Sequence, residues 1–186
     1  MKMDLHKNKF IIFHSGGGGG DFLAMCINKL YYNDSSEINY FENDIQVSGN
    51  FFAFKDYCLN LSNNENLIYT DKVTYCMTSH HYHPKLKINF KNSKLFYINS
   101  VGYQKEIVNR LNTIHNMPFT TRNLIEMKRW NNTFQLNEIQ PINQDIFFSY
   151  ESFKNTIENC FSMLANDQLE EEYNKWFGRN RHFFNL

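Results

Sequence analysis

This sequence has no net charge and no long apolar run, and little in it breaks up the chain. Nineteen Lys and Arg stand against nineteen Asp and Glu among 186 residues. A chain that binds nucleic acid or acidic membranes through bulk charge carries a basic excess. Neither partner is expected here, although a local basic pocket stays open. The longest apolar stretches, such as Phe10–Phe13, fall far short of the roughly 20 residues of a bilayer-spanning helix. Met1–Lys9 has charges, but the apolar run behind them is only four residues, too short for the h-region of a signal peptide, so no secretory signal is expected. The four cysteines, Cys26, Cys58, Cys76 and Cys160, are widely spaced with no C-x-x-C. That spacing points to reduced thiols in a cytoplasmic protein rather than to a disulfide framework. Alanine (3), proline (3) and arginine (5) are scarce, while there are 27 asparagines and 17 % aromatics. The Asn/Lys/Ile/Phe/Tyr excess reads as the codon bias of an AT-rich genome, so a single exposed Asn carries little signal. The length suits one domain spanning 1–186, with a core that needs neither disulfide nor metal.

Apolar patterning gives an alternation of elements. Phe10–Phe13 is a short continuous apolar run, the pattern of a buried parallel strand. Asp21–Tyr32 reads as a helix with Asp21 as N-cap, ended by Asn33-Asp34-Ser35-Ser36. Phe51–Leu61 is a further expected helix. Val73–Thr78 and Lys94–Ile98 are rich in strand formers. Gln104–Leu111 places Ile107, Val108 and Leu111 on one helical face, and Thr120–Trp130 is another expected helix. Asp145–Ser149 reads as the next apolar strand. Helices are expected at Tyr150–Leu164, with Phe153, Ile157, Cys160-Phe161 and Leu164 in register, and at Gln168–Phe177. Strands separated by helices predict an α/β domain on a mostly parallel sheet of four to five strands.

Five of the eight glycines form one run, Gly16 to Gly20, between the first strand and the first helix. Each ordered glycine costs roughly 0.5–1 kcal/mol relative to alanine, so the run is no stability device. Glycines admit positive φ and let backbone N–H groups approach a ligand. The helix start behind them adds unpaired N–H groups and partial positive charge. Strand, loop and helix N-terminus together suit phosphate or sulfate. The alternative is a tight structural turn. The Walker pattern requires Lys and Ser/Thr after its last glycine, where this chain has Asp21 and Phe22, so an ATP- or GTP-hydrolysing P-loop enzyme is not expected. Asp21 is either a helix cap or an acceptor for a ligand hydroxyl.

Ser79-His80-His81-Tyr82-His83-Pro84 follows an expected strand. In parallel α/β sheets, loops at strand C-termini line the ligand crevice. Histidine is the side chain most easily poised as a base near neutral pH. A metal site at His80, His81 and His83 and a plain surface cluster are the other readings of the same residues.

The order of these segments resembles the sulfotransferase family, whose P-loop-type, three-layer α/β fold uses 3′-phosphoadenosine 5′-phosphosulfate. Phe13–Leu23 resembles the phosphosulfate loop, with Phe22-Leu23 at its aromatic-Leu pair. Thr78-Ser79-His80 resembles the segment bearing the catalytic histidine. Lys94–Val108 resembles the strand and helix that hold the 3′-phosphate, and Phe147-Phe148-Ser149-Tyr150-Glu151-Ser152-Phe153 the Tyr-Glu-Asp-Leu segment late in the fold. The resemblance implies His80 or His81 as the base that deprotonates a hydroxyl acceptor. It implies Ser15, Gly16, Gly17, Gly18, Gly19, Gly20, Asp21, Phe22 and Ser100 as contacts to that cofactor or to adenosine 3′,5′-bisphosphate, with no metal. The family's loop lysine has no counterpart, and Ser100 stands where an Arg is usual. Sulfuryl transfer needs positive charge near the developing anion, which here would come from Lys85, Lys87, Lys105 or Arg110. The alternative function is a binding or structural module of the same fold that does not catalyse transfer.

Overall fold

A computed structural model of the chain describes residues 9–15, 17–33, 75–79, 93–115, 124–125, 128–129, 132–134 and 139–184. Its strands are β1 (Phe10–Phe13), β2 (Cys76–Ser79), β3 (Lys94–Asn99) and β4 (Gln140–Asn143). Its long helices are α1 (Gly20–Tyr32), α2 (Gln104–His115), α3 (Tyr150–Phe161) and α4 (Asp167–Asn180). The helix expected at Phe51–Leu61 lies outside the described residues, as does most of the one expected at Thr120–Trp130. The four strands form one sheet in the order β2-β1-β3-β4, every pairing parallel. The molecule is therefore α/β, as the alternation of strands and helices predicts. No helix among the described residues is long and apolar enough to cross a membrane.

β1 has a strand on each side, with Phe10 opposite Cys76 and Lys94, and Phe13 opposite Ser79 and Tyr97. Such a strand touches water on neither face, and its four residues Phe-Ile-Ile-Phe are all buried. Side chains alternate across the sheet. Phe10, Ile12, Phe96, Ile98 and Ile142 face the main core, where they join residues of α1, α3 and α4. Phe13 and Tyr97 share a different neighbour, Phe134, at ring separations of 5.4 Å each. Asn28 ties α1 to β2. Its amide donates to the Ala24 and Cys76 carbonyls at 2.9 and 2.8 Å, and the Cys76 N–H donates back to Asn28 Oδ1 at 3.0 Å.

Three expectations need correction. The fourth strand is not Asp145–Ser149 but Gln140–Asn143, and Gln144–Phe148 is a 3₁₀ turn. Among the described residues β4 is an edge strand, so it needs only one buried side chain, Ile142, and it tolerates Pro141, which has no N–H to donate. The apolar Ile146 and Phe147 fill the core from the turn instead. Ser149 then caps α3 by accepting from the Ser152 N–H. Leu164 is not a core residue. α3 stops at Ser162, whose φ of 57° is left-handed, and Leu164 is 86 % exposed. Asp21 does not cap α1. Gly19 holds the cap position at φ 82° with no side-chain bond, and Asp21 lies in the first turn.

Candidate anion-binding site at the glycine loop

In an open parallel sheet, ligands bind outside the strand C-termini where the strand order reverses. From β1 the chain passes to β2 on one side and later to β3 on the other, so that point lies between β1 and β3. Ser15 and Ser100 leave these strands at this edge, and both are buried. The glycine loop begins at the same place. Gly17 and Gly19 have φ of 81° and 82°, and Gly18 between them does not share that sign. Alternation of this kind is the backbone pattern of an anion nest. Of the loop's N–H groups, that of Gly18 is already taken by the Ser15 carbonyl at 3.0 Å, which leaves the contacts to an anion to the N–H groups nearer the start of α1. α1 opens at Gly20, so its first N–H groups point at this edge.

Packing alone also demands these glycines. A Cβ on Gly17 would stand 2.8 Å from the Ile107 carbonyl oxygen, and one on Gly19 would stand 3.0 Å from the Phe147 ring. One on Gly20 would overlap the imidazole of His14, and one on Gly18 would press on the Ser15 carbonyl at 3.1 Å. The loop is thus seated on α2, on the 3₁₀ turn and on the end of β1. Gly16 lies outside the described residues.

Asp21 reaches across the sheet edge. Its Oδ1 accepts from the Thr78 hydroxyl at 2.8 Å and lies 3.3 Å from His14 Nε2. His14 is 2 % exposed, and its Nδ1 is 3.0 Å from the Ser15 carbonyl oxygen. Sequence reasoning passed over His14. The available signal was a polar ring placed directly at the end of an apolar strand, seven residues before an acid. His80 and His81, the expected base, follow Ser79 of β2 in the sequence and lie outside the described residues. His83 lies there too. Among the described residues no three His, Cys, Asp or Glu side chains cluster as a metal site.

Phe22 is a core residue, stacked 4.9 Å from Trp176 and 5.5 Å from Phe153. The Ser100 carbonyl accepts from the Tyr103 N–H at 3.0 Å, turning the chain into α2. The structure thus brings Ser15, Gly17, Gly18, Gly19, Gly20, Asp21 and Ser100 to one edge and commits Phe22 to the interior.

Of the four candidate cations, Lys85 and Lys87 lie outside the described residues, and Lys105 is exposed on α2. Arg110 is buried, not the solvated charge a lone basic residue on a helix usually is. Its Nη1 donates to the Gly17 carbonyl at 2.8 Å, and its Nε donates to Asn180 Oδ1. Its guanidinium sits 5.6 Å from the Trp176 ring centre. Burial lowers its pKa to about 10, partly opposed by Asp21. The group still holds its charge at neutral pH and brings it to the underside of the loop.

Gln144 was not expected. It opens the 3₁₀ turn after β4 and is 1 % exposed. Among the described residues, neither its Nε2 nor its Oε1 has a hydrogen-bond partner. Its Oε1 lies 3.8 Å from the place a Cβ on Gly18 would take, so the carboxamide is directed at the loop. A buried polar group left unmet costs about 1–3 kcal/mol.

No protein-family model, no curated protein and no solved structure matches the chain. The functional reading therefore rests on its own residues.

Proposed function

We propose that the chain is a small sulfotransferase-like protein with a three-layer P-loop-type fold. It binds a phosphate-bearing adenine nucleotide, 3′-phosphoadenosine 5′-phosphosulfate or adenosine 3′,5′-bisphosphate, at the glycine loop. In this reading a sulfuryl group passes to a hydroxyl acceptor deprotonated by His80 or His81. The observation that carries it is the glycine loop of alternating φ, which runs into the N-terminus of α1 where the strand order reverses. Backbone N–H groups and the helix end supply the anion contacts, and Arg110 supplies a cation beneath them.

Calorimetric titration of the folded chain with adenosine 3′,5′-bisphosphate is the test. Saturable heat is expected, and no heat at millimolar ligand overturns the reading. Transfer activity, where found, is expected to fall by roughly 10²–10⁴ on removal of the general base, His80→Ala or His81→Ala.

The second reading is a module of the same fold that binds or assembles without transfer. It is favoured by the packing of Gly17, Gly19 and Gly20, which the surrounding atoms demand without any ligand. Sulfuryl transfer that disappears in His80→Ala would remove it.

A further inference from the structure

We infer that Gln144 is the specificity-determining contact of the glycine loop, and that the group it selects is a phosphate monoester still carrying its proton. The inference rests on the loop being an anion site, as proposed above, and selects between the two nucleotides named there: it takes the bisphosphate, whose phosphates are monoesters, and not the phosphosulfate group, which has no proton to give. Gln144 is 1 % exposed, both ends of its carboxamide are unmet among the described residues, and the group points at Gly18. Buried side-chain amides nearly always have partners. Packing alone would be served as well by Met or Leu, which carry no polar atoms to leave unpaired. A carboxamide offers both a donor and an acceptor. The complementary ligand must therefore present an acceptor oxygen and a donor hydrogen side by side. A sulfate or sulfuryl oxyanion presents acceptors only. A phosphate monoester, whose second ionisation falls near about pH 6, presents a P–O⁻ for Nε2 and a P–OH for Oε1. Its remaining oxygens face the loop and the first N–H groups of α1.

The test uses the full chain, as wild type and as Gln144→Met, Gln144→Leu and Gln144→Glu. The probes are inorganic phosphate, inorganic sulfate and adenosine 3′,5′-bisphosphate at equal ionic strength, followed by calorimetry and by melting temperature. At pH 6 the wild type is expected to bind phosphate at least about tenfold tighter than sulfate, the size of one good hydrogen bond. Bisphosphate affinity should fall from pH 6 to pH 8, where the monoester proton is lost, while inorganic phosphate, whose dianion keeps one P–OH, should hold its preference over sulfate. Gln144→Met and Gln144→Leu are expected to keep or raise the melting temperature without ligand and to lose about tenfold in phosphate affinity. A merely structural glutamine would not separate these two readouts. Gln144→Glu, which keeps the size and repels the anion, should abolish phosphate binding and covers the case in which an apolar variant fails to fold. Phosphate affinity indifferent to all three substitutions, or sulfate bound as tightly as phosphate, overturns the inference. Bisphosphate binding that ignores Gln144 overturns it while leaving the nucleotide reading intact. Gln144-dependent phosphate binding with no bisphosphate binding sustains the inference and sinks the nucleotide reading. A wild type that binds no probe overturns both.

Discussion

Gly20 and His14 illustrate how a residue acquires its meaning from a neighbour it does not touch in sequence. From the sequence, Gly20 is one of five equivalent glycines. In the fold it is the floor on which the His14 imidazole rests. Gly20→Ala forces the ring out of contact with Ser15 and Asp21, and overpacking of this kind costs about 1–3 kcal/mol. The expected outcome in urea denaturation is a clear loss for Gly20→Ala. The double variant His14→Gly/Gly20→Ala should lose less than the sum of its single changes, because the clash, which includes the His14 Cβ at 2.7 Å, goes with the whole side chain. Additive losses would show that the two do not meet. The loop's glycine content was evident from composition. Which glycine answers to which neighbour was not, because those neighbours lie on β1, α2 and the 3₁₀ turn.

At the scale of elements, local pattern served best where one face alone decides burial. Phe153, Ile157 and Phe161 recur at helical spacing on α3, and all three are buried. It served worst at β4, where an edge position lets a polar, proline-bearing segment be a strand and sends the apolar run into a turn. Tyr173 holds that turn to α4, its hydroxyl donating to the Phe147 carbonyl at 3.0 Å. Burial pushes its phenol from the ordinary 10.0 up to about 12. The folded protein therefore keeps this proton over a range in which the unfolded chain loses it. The stability Tyr173 contributes is fully present below pH 10 and is lost as pH rises through about 12. Tyr173→Phe is expected to cost about 1 kcal/mol at neutral pH through the lost hydrogen bond. The gap between wild type and variant in urea unfolding should narrow from pH 9 toward pH 12, and a constant gap would count against this assignment.

At the scale of the whole molecule, Arg110 joins parts of the chain far apart in sequence. It carries one bond to Gly17 near the start and one to Asn180 near the end, and Asn180 itself donates to the Trp176 carbonyl at 2.7 Å. The C-terminal turn packs close by, with Phe183 and Phe184 against Ile107 and Val108 of α2. Arg110→Met leaves the Gly17 carbonyl and the Asn180 side chain without this donor. It is expected to cost about 2–4 kcal/mol in stability. In hydrogen exchange it should loosen the glycine loop and the C-terminal turn together. Loosening of one without the other would mean that Arg110 does not couple them.

Short-range pattern was enough for the α/β class, for β1, for the strand–glycine–helix unit and for the helices whose apolar residues recur at regular spacing, because each depends only on residues within a turn or two. The site needed contacts across long stretches of chain. Asp21 looked like a cap and is instead bonded to Thr78, 57 positions away. Arg110 was one of four candidate cations that the sequence could not tell apart, and it lies buried under a loop 93 positions earlier. Gln144 looked like a polar residue beside an expected strand, and its amide is enclosed against Gly18. Which polar groups are sealed from water, and against what, follows from the order in which the strands assemble, and local periodicity carries no record of that order.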